Sequence, residues 1–300
     1  NHVNGGFYNL EQLKIHDSLT ESFIGLRNFD KANHHQNFQV YVNKNHFGIE
    51  NPMVDESLIK LAKWYKRSGQ VYSERQIHTE ILERQTKRND QNLGELIETF
   101  KNIAYSHRRE GMDIYQSLSP LKKALQAIDA NEEKNLFLKL EVLLDLGDTY
   151  NSFGRAESAK KAYQDCWQLI EEDESMGSVI KERFSKPIRV RNILIPSKYP
   201  IKIKDSENQT FASGFIAIQY SINLNGNTDN IEIIESEPQK LIDKVAISAI
   251  RNTVYRPVYI DAVPQESTGM SIRHTFSYPL KNTEEPEPVI EDKPLDNPIA

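Results

Sequence analysis

Few residues of this chain stand at spacings that support catalysis or metal binding. Ser57 and Lys60 form a Ser-x-x-Lys pattern, in which a lysine can assist a serine nucleophile, but the companion motifs are missing. His34 and His35 are adjacent, so their side chains point to different sides of a helix and chelate a metal poorly. Cys166 is the single cysteine, which excludes an intramolecular disulfide.

Motif searches for other chemistry are equally negative. The sequence has no glycine-rich phosphate loop, no His-Glu-x-x-His and no Gly-x-Ser-x-Gly. His78 and His107 fall at predicted packing positions of helices, and Cys166 falls where a small buried side chain is expected. We therefore predict no catalytic residue, no metal site and no cofactor, and a protein that is not an enzyme.

The elements that would position side chains are clearest from Gly214 onward. Apolar residues at every second position predict a strand with one buried face, and they are Ile216, Ile218, Tyr220, Ile222 and Leu224. Asn225-Gly226 predicts a hairpin turn into a second strand around residues 231–234. Pro238 ends that strand, and a helix is predicted from the spacing of Leu241, Ile242, Val245, Ala246, Ala249 and Ile250. Residues 271–278 predict a last strand, so the unit is a small α+β domain of hairpin, helix and strand.

An ordered set of turn and packing residues runs through this unit. The set is Tyr199, Pro200, Gly214, Gly226, Pro238, Leu241, Ala246, Tyr255, Pro257 and Phe276. In order and spacing it resembles the C-terminal domain of the TonB family of energy transducers. The resemblance covers about residues 185–280 and rests on packing residues rather than on a catalytic group, so what it implies about function is an analogy.

The region before it is predicted to be helical and internally repeated. Small residues recur 42 and 43 positions apart at Ala62, Ala104 and Gly147, and glycines recur at the same spacing at Gly69, Gly111 and Gly154. A small residue lets a neighbouring helix approach closely, and a glycine ends a helix in the left-handed conformation. Each helical hairpin leaves an apolar face that the next one covers, which predicts a solenoid of about four hairpins and eight helices.

This pattern resembles a long-helix variant of the tetratricopeptide repeat, with a period of about 42. The best copy has Gly147, Tyr150, Gly154, Ala159 and Tyr163 at the motif positions, and an earlier copy has Ala62, Tyr65 and Gly69. Ala32 is the only match in a degenerate first hairpin. Ser119-Pro120 predicts a late start for the second helix of the middle hairpin.

These patterns predict five segments: a disordered start at 1–6, a helical repeat domain at 7–172 and a linker at 173–187, then the TonB-like domain at 188–280. An acidic, proline-rich tail at 281–300 is predicted to be disordered. That tail holds six acidic residues and two lysines, a net charge of −4, against −6 for the whole chain. The remainder is nearly neutral, so no basic field attracts nucleic acid. No apolar run approaches the roughly 20 residues that span a bilayer.

The resemblance implies a protein-binding role in the periplasm of a Gram-negative bacterium. Its partner would be a segment of an outer-membrane transporter that adds a strand to the edge of the last strand, at Ser271, Ile272, Arg273, His274 and Thr275. The concave surface of the repeats would hold a second protein of unknown identity. The alternative is a soluble repeat adaptor without energy coupling. The chain begins at Asn1 rather than methionine, so we expect that a leader or anchor has been removed or that the sequence is a fragment.

Overall fold

The computed structural model describes residues 8–88, 92–199 and 210–280. The predicted disordered segments 1–6 and 281–300 lie outside those residues. The described N-terminal part is helical, with α1 (Gln12–Gly25), α2 (Phe29–Phe47), α3 (Met53–Arg67), α4 (Val71–Lys87), α5 (Leu93–Glu110), α6 (Ile114–Asp129), α7 (Leu136–Ser152), α8 (Ala156–Glu172) and α9 (Met176–Phe184). From α1 to α9, each helix packs against the next along the chain, and α5 also contacts α7. The predicted helical-repeat solenoid is confirmed.

The repeated glycines lie just beyond helix ends. Gly69, Gly111 and Gly154 have φ values of +75°, +68° and +72°, in the left-handed region that favours glycine. Their equal spacing therefore marks the ends of α3, α5 and α7.

Two details of the helical part differ from the prediction. The helix α6 begins at Ile114 and contains Pro120, so the predicted start at Ser119-Pro120 is wrong. Asp113 caps this helix by accepting a hydrogen bond from the Tyr115 backbone N–H at 2.9 Å. The segment 173–187, predicted as a linker, holds α9, because Met176, Ile180 and Phe184 repeat at helical spacing and are buried.

The strands and the last helix follow. They are β1 (Ile188–Arg191), β2 (Phe211–Ile222), β3 (Thr228–Glu237), α10 (Asp243–Arg251), β4 (Val254–Arg256), β5 (Val258–Ile260), β6 (Val263–Gln265) and β7 (Ser267–Pro279). Strands β3, β2 and β7 form a three-stranded sheet in that order, while β1 pairs with β4 and β5 pairs with β6, both antiparallel. The predicted hairpin, helix and strand are present.

The hairpin turn between β2 and β3 is one residue longer than a two-residue Asn-Gly turn. The Gly226 N–H donates to Asn223 O, and Asn223 N–H donates to Asn227 O, both at 2.9 Å. Gly226 has a φ of +81°, so this is a three-residue loop with the left-handed residue last. Leu224 lies in the loop and is 46% exposed, whereas the alternation predicted it on the buried face.

The chain divides into two compact units. The helical unit contains α1–α9, β1, β4, β5, β6 and the turn Ile222–Asn227, and the sheet unit contains most of β2 together with β3, α10 and β7. The predicted domain 188–280 thus supplies residues to both units. The largest core of the helical unit runs from α5 through α9 and includes Tyr259 of β5. The sheet unit buries the predicted face of β2, at Ile216, Ile218 and Tyr220, and also Ala246 and Ala249 of α10.

Candidate functional site

Strand β7 lies at one edge of the three-stranded sheet. Phe276 is 3% exposed, whereas Arg273 and Thr275 are exposed, so even-numbered residues near this point face the core. Gly214 of β2 leaves room for the Phe276 ring, since a Cβ there would come within 2.7 Å of it. The predicted strand-addition residues therefore alternate: Ser271, Arg273 and Thr275 are exposed, and Ile272 and His274 are half-buried.

Hydrogen bonds at Ser277 show which backbone groups of β7 point outward. Ser277 N–H donates to Ser197 O at 2.9 Å, and Tyr199 N–H donates to Ser277 O at 2.8 Å. Because backbone groups of alternate strand residues point to the same side, Thr275 and Arg273 also direct their N–H and C=O groups to this edge. Residues 197–199 thus cover the edge at Ser277, and the predicted partner-binding stretch begins just beyond them.

Arg273 is held on the outer face of the sheet by two contacts. Its guanidinium lies 3.6 Å from the centre of the Phe215 ring, and its Nη1 lies 3.7 Å from Glu235 Oε2. Both ionic side chains are more than half exposed, so this pair contributes little to stability. His274 turns inward instead, with Nε2 3.0 Å from Pro196 O.

Three further residues of the TonB-like set, Tyr199, Gly226 and Tyr255, form backbone contacts between elements. Tyr199 forms the bond to β7 described above, and Pro200 lies outside the described residues. Gly226 passes so close to Tyr255 that a Cβ would fall 1.8 Å from the Tyr255 carbonyl oxygen, and Gly226 O accepts a hydrogen bond from Tyr255 N–H at 2.8 Å. Tyr255 and Pro257 are buried in the helical unit.

Between those two residues lies Arg256, a buried charge that no sequence pattern predicted. Arg256 Nε and Nη2 donate to the two carboxylate oxygens of Asp148 in α7, both at 2.8 Å, and Tyr163 of α8 donates its hydroxyl to Asp148 at 2.9 Å. Burial alone raises the pKa of the Asp148 carboxyl, but the Arg256 guanidinium, together with Arg108 and the Tyr163 hydroxyl, lowers that pKa below its ordinary value. The pair therefore stays ionised inside the helical unit.

Sequence signals for this pair were weak. Asp148 stands on a helix, where acidic residues usually face solvent, and its partner is 108 residues away. The one available signal was position, since Asp148 directly follows the close-packed Gly147.

The repeat-motif residues line the contacts between helices. A Cβ at Gly147 would lie 2.2 Å from the Tyr163 ring, which explains glycine at this point of closest approach. Ala62, Ala104 and Ala159 are each at most 2% exposed, and Tyr65 accepts a hydrogen bond from Asn37 at 2.8 Å. Tyr150 is half-buried at the edge of the main core.

Helices α3, α4 and α5 enclose an open groove of about 460 Å³. Lys63 and Lys66 lie on its α3 wall, and Glu95 and Glu98 on its α5 wall. The floor includes Ile81, His78 and Gln85 of α4. This groove is one of several concave surfaces of the helical unit.

The residues considered for catalysis do not assemble. Ser57 Oγ donates to Val54 O at 2.7 Å, while Lys60 Nζ lies 2.5 Å from Asp17, so the Ser-x-x-Lys pair makes no mutual contact. Cys166 is fully buried, and burial raises the pKa of its thiol. Among residues 8–88, 92–199 and 210–280, no group of three potential ligands could hold a metal ion. None of the helices in those ranges is long and apolar enough for a bilayer crossing.

Comparisons with known proteins give a family match for the C-terminal region. A comparison with curated proteins finds no match. Among solved structures, the chain is similar to the crystal structure of BtubC (BKLC) from P. vanneervenii, with a TM-score of 0.41 and 16% identity over 61% of this chain and 70% of that one. That similarity is too low to carry an argument about fold or function. Residues 197–278 match the family model for the C-terminal domain of the Gram-negative bacterial TonB protein.

Proposed function

We propose that this protein is a non-enzymatic protein–protein interaction protein of the Gram-negative periplasm, acting as a TonB-like energy transducer or an accessory of outer-membrane transport. The observation that supports it best is the family match over residues 197–278, since that range contains the edge strand β7 up to Tyr278. The match supports this function by analogy. The mechanism is therefore argued from the residues of the edge strand.

At the edge of β7, an extended segment of an outer-membrane transporter adds as a further strand. Thr275 and Arg273 offer outward N–H and C=O groups, and Ser271 continues the same alternation. Backbone pairing supplies the affinity in this mode, and side chains on the exposed face adjust specificity. Arg273 is the side chain best placed for that, because it is exposed and lies beside the edge.

The repeats bind a second protein. The spacing of Gly69, Gly111 and Gly154 and the small residues before them support a tetratricopeptide-like repeat, whose stacked hairpins form a concave surface. The groove between α3, α4 and α5 is one part of the helical unit with room for a ligand.

The test of the edge uses the full chain and peptides from the periplasm-facing segments of outer-membrane transporters. Thr275→Pro removes one outward donor and should weaken peptide binding by about tenfold. Thr275→Val keeps the N–H and the strand propensity, so it should bind like the wild type. Calorimetry measures binding, and circular dichroism checks that both variants are folded.

Substitution of the Arg273 side chain tests the alternative, in which recognition is electrostatic. Arg273→Ala should change affinity by less than about fivefold, because its charge is exposed. If Arg273→Ala abolishes binding while folded Thr275→Pro binds normally, recognition is electrostatic and strand addition at this edge is wrong.

A further inference from the structure

The repeat places two grooves of the helical unit in equivalent positions. Gly147 and Gly154 follow Ala62 and Gly69 by 85 residues each. Applying the same offset to the residues around them gives the pairs Lys63 and Asp148, Lys66 and Asn151, His78 and Tyr163, and Thr99 and Phe184. The first members line the open groove of α3, α4 and α5, and the second members lie on α7, α8 and α9.

The groove of α7, α8 and α9 is filled by the protein's own extended segment at residues 254–260. Asp148 holds the Arg256 guanidinium, and Asn151 Nδ2 donates to the Tyr255 carbonyl oxygen at 2.7 Å. Tyr259 packs edge-on against Tyr163, with ring centres 5.6 Å apart. One charged side chain, one backbone carbonyl and one aromatic ring therefore fix this segment.

The equivalent groove of α3, α4 and α5 has no such segment among the described residues. Ile59 is 37% exposed there, whereas its equivalent Leu144 is 3% exposed. Gln85 lies on the floor and is 8% exposed, yet its Oε1 accepts no hydrogen bond from the described residues.

We infer that this open groove binds an extended peptide segment of a partner protein, with an acidic side chain where the protein's own segment has Arg256. The charge at that point is reversed, because Lys63 stands in the place of Asp148. Lys63 is exposed and has no ion-pair partner among the described residues. A carboxylate is the group that a lysine ammonium pairs with at this position.

Lys66 and two glutamates of the groove constrain the rest of the ligand. Lys66 can donate to a backbone carbonyl as Asn151 does to Tyr255. Glu95 and Glu98 line the opposite wall, so the acidic side chain must lie on the α3 wall to avoid repulsion. This inference rests on the proposed function of the repeats and not on the edge strand.

The test is a charge exchange with two heptapeptides, measured by fluorescence anisotropy on the full chain. One peptide has the sequence of residues 254–260, and the other carries Arg256→Glu. The wild type should bind the glutamate peptide about fivefold more tightly than the arginine peptide. Lys63→Glu should reverse that preference. Lys122→Glu, an exposed lysine on α6, makes the same change of net charge and should leave the preference as in the wild type.

Several results would overturn the inference. These are no preference between the peptides, no binding of either, or equal effects of Lys63→Glu and Lys122→Glu. A further one is self-association of the wild type that Lys63→Glu abolishes, in which case a second copy occupies the groove. Thr275→Pro, included as a control, should leave heptapeptide binding unchanged, so a failure here is separate from a failure of strand addition.

Discussion

The second and the last hairpin of the helical unit share one repeat pattern and differ in what covers their inner face. In the last hairpin, residues 254–260 lie in the groove, and the pair Asp148 and Arg256 is buried. In the second hairpin the same position carries the exposed Lys63 beside an open groove of about 460 Å³.

One repeat position stabilises the fold in the last hairpin, and we propose that it serves recognition in the second. Asp148 is committed to a partner within the chain, so its loss leaves a buried charge unpaired. Lys63 has solvent around it, so its loss costs the fold little. The two residues therefore predict opposite results in stability and in binding.

The largest expected effect comes from removing the buried ion pair of the filled groove. Asp148→Ala leaves the Arg256 guanidinium buried without its carboxylate and should lower the free energy of unfolding by about 3–5 kcal/mol. Lys63→Ala should stay within about 0.5 kcal/mol of the wild type. Urea unfolding followed by circular dichroism measures both. Equal losses of stability from the two substitutions would mean that Asp148 and Lys63 contribute alike to the fold.

The same pair predicts a pH dependence. The pKa of Asp148 is lowered in the folded state, so its contribution to stability is present above its unfolded value of about 3.8 and is lost as the pH falls below it. Asp148→Asn should remove that part of the acid transition. If the wild type and Asp148→Asn lose the same free energy of unfolding below pH 4, the predicted role of Asp148 is wrong.

A smaller effect is expected at the point of closest helix approach. Gly147→Ala puts a Cβ 2.2 Å from the Tyr163 ring and should cost about 1–3 kcal/mol through overpacking. Ala62 already carries a Cβ at the equivalent position in the open hairpin. Gly25→Ala is a matched control, because a Cβ there meets nothing within 4 Å. Thermal unfolding should separate the two variants, and an unchanged midpoint for Gly147→Ala would refute the repeat register.

The smallest effect concerns His78, the equivalent of Tyr163 in the open groove. Burial, with Lys66 nearby, lowers the pKa of His78 to about 4. The unfolded chain therefore binds this proton first, and stability should fall by about 1 kcal/mol between pH 7.5 and 5.5. His78→Gln should lessen the fall by that amount. A variant with the same pH profile as the wild type would show that His78 is not buried as described.

Local patterns predicted much of the fold. The alternation at Ile216, Ile218 and Tyr220 predicted the buried face of β2, and equally spaced glycines predicted helix ends. These signals need only neighbours along the chain. Ser119-Pro120 misled the prediction because serine followed by proline is a common helix start, whereas α6 continues through Pro120 and buries Leu118 and Leu121.

The candidate sites were less predictable from the sequence. Asp148 and Arg256 meet only after the chain has folded, and isolated charges on a helix usually indicate solvated faces. The groove at Lys63 likewise needs three helices in place. The edge residues 271–275 could be proposed from the sequence because the family resemblance supplied the order of strands, and their role in binding stays a prediction.

The most direct test of the account is hydrogen–deuterium exchange of the full chain with and without the heptapeptide of residues 254–260 carrying Arg256→Glu. Backbone amides in α3, α4 and α5 should gain protection on addition of the peptide, and those in α7, α8 and α9 should not change, because their groove is already filled. Protection confined to α7–α9, or no protection anywhere at saturating peptide, would contradict the account.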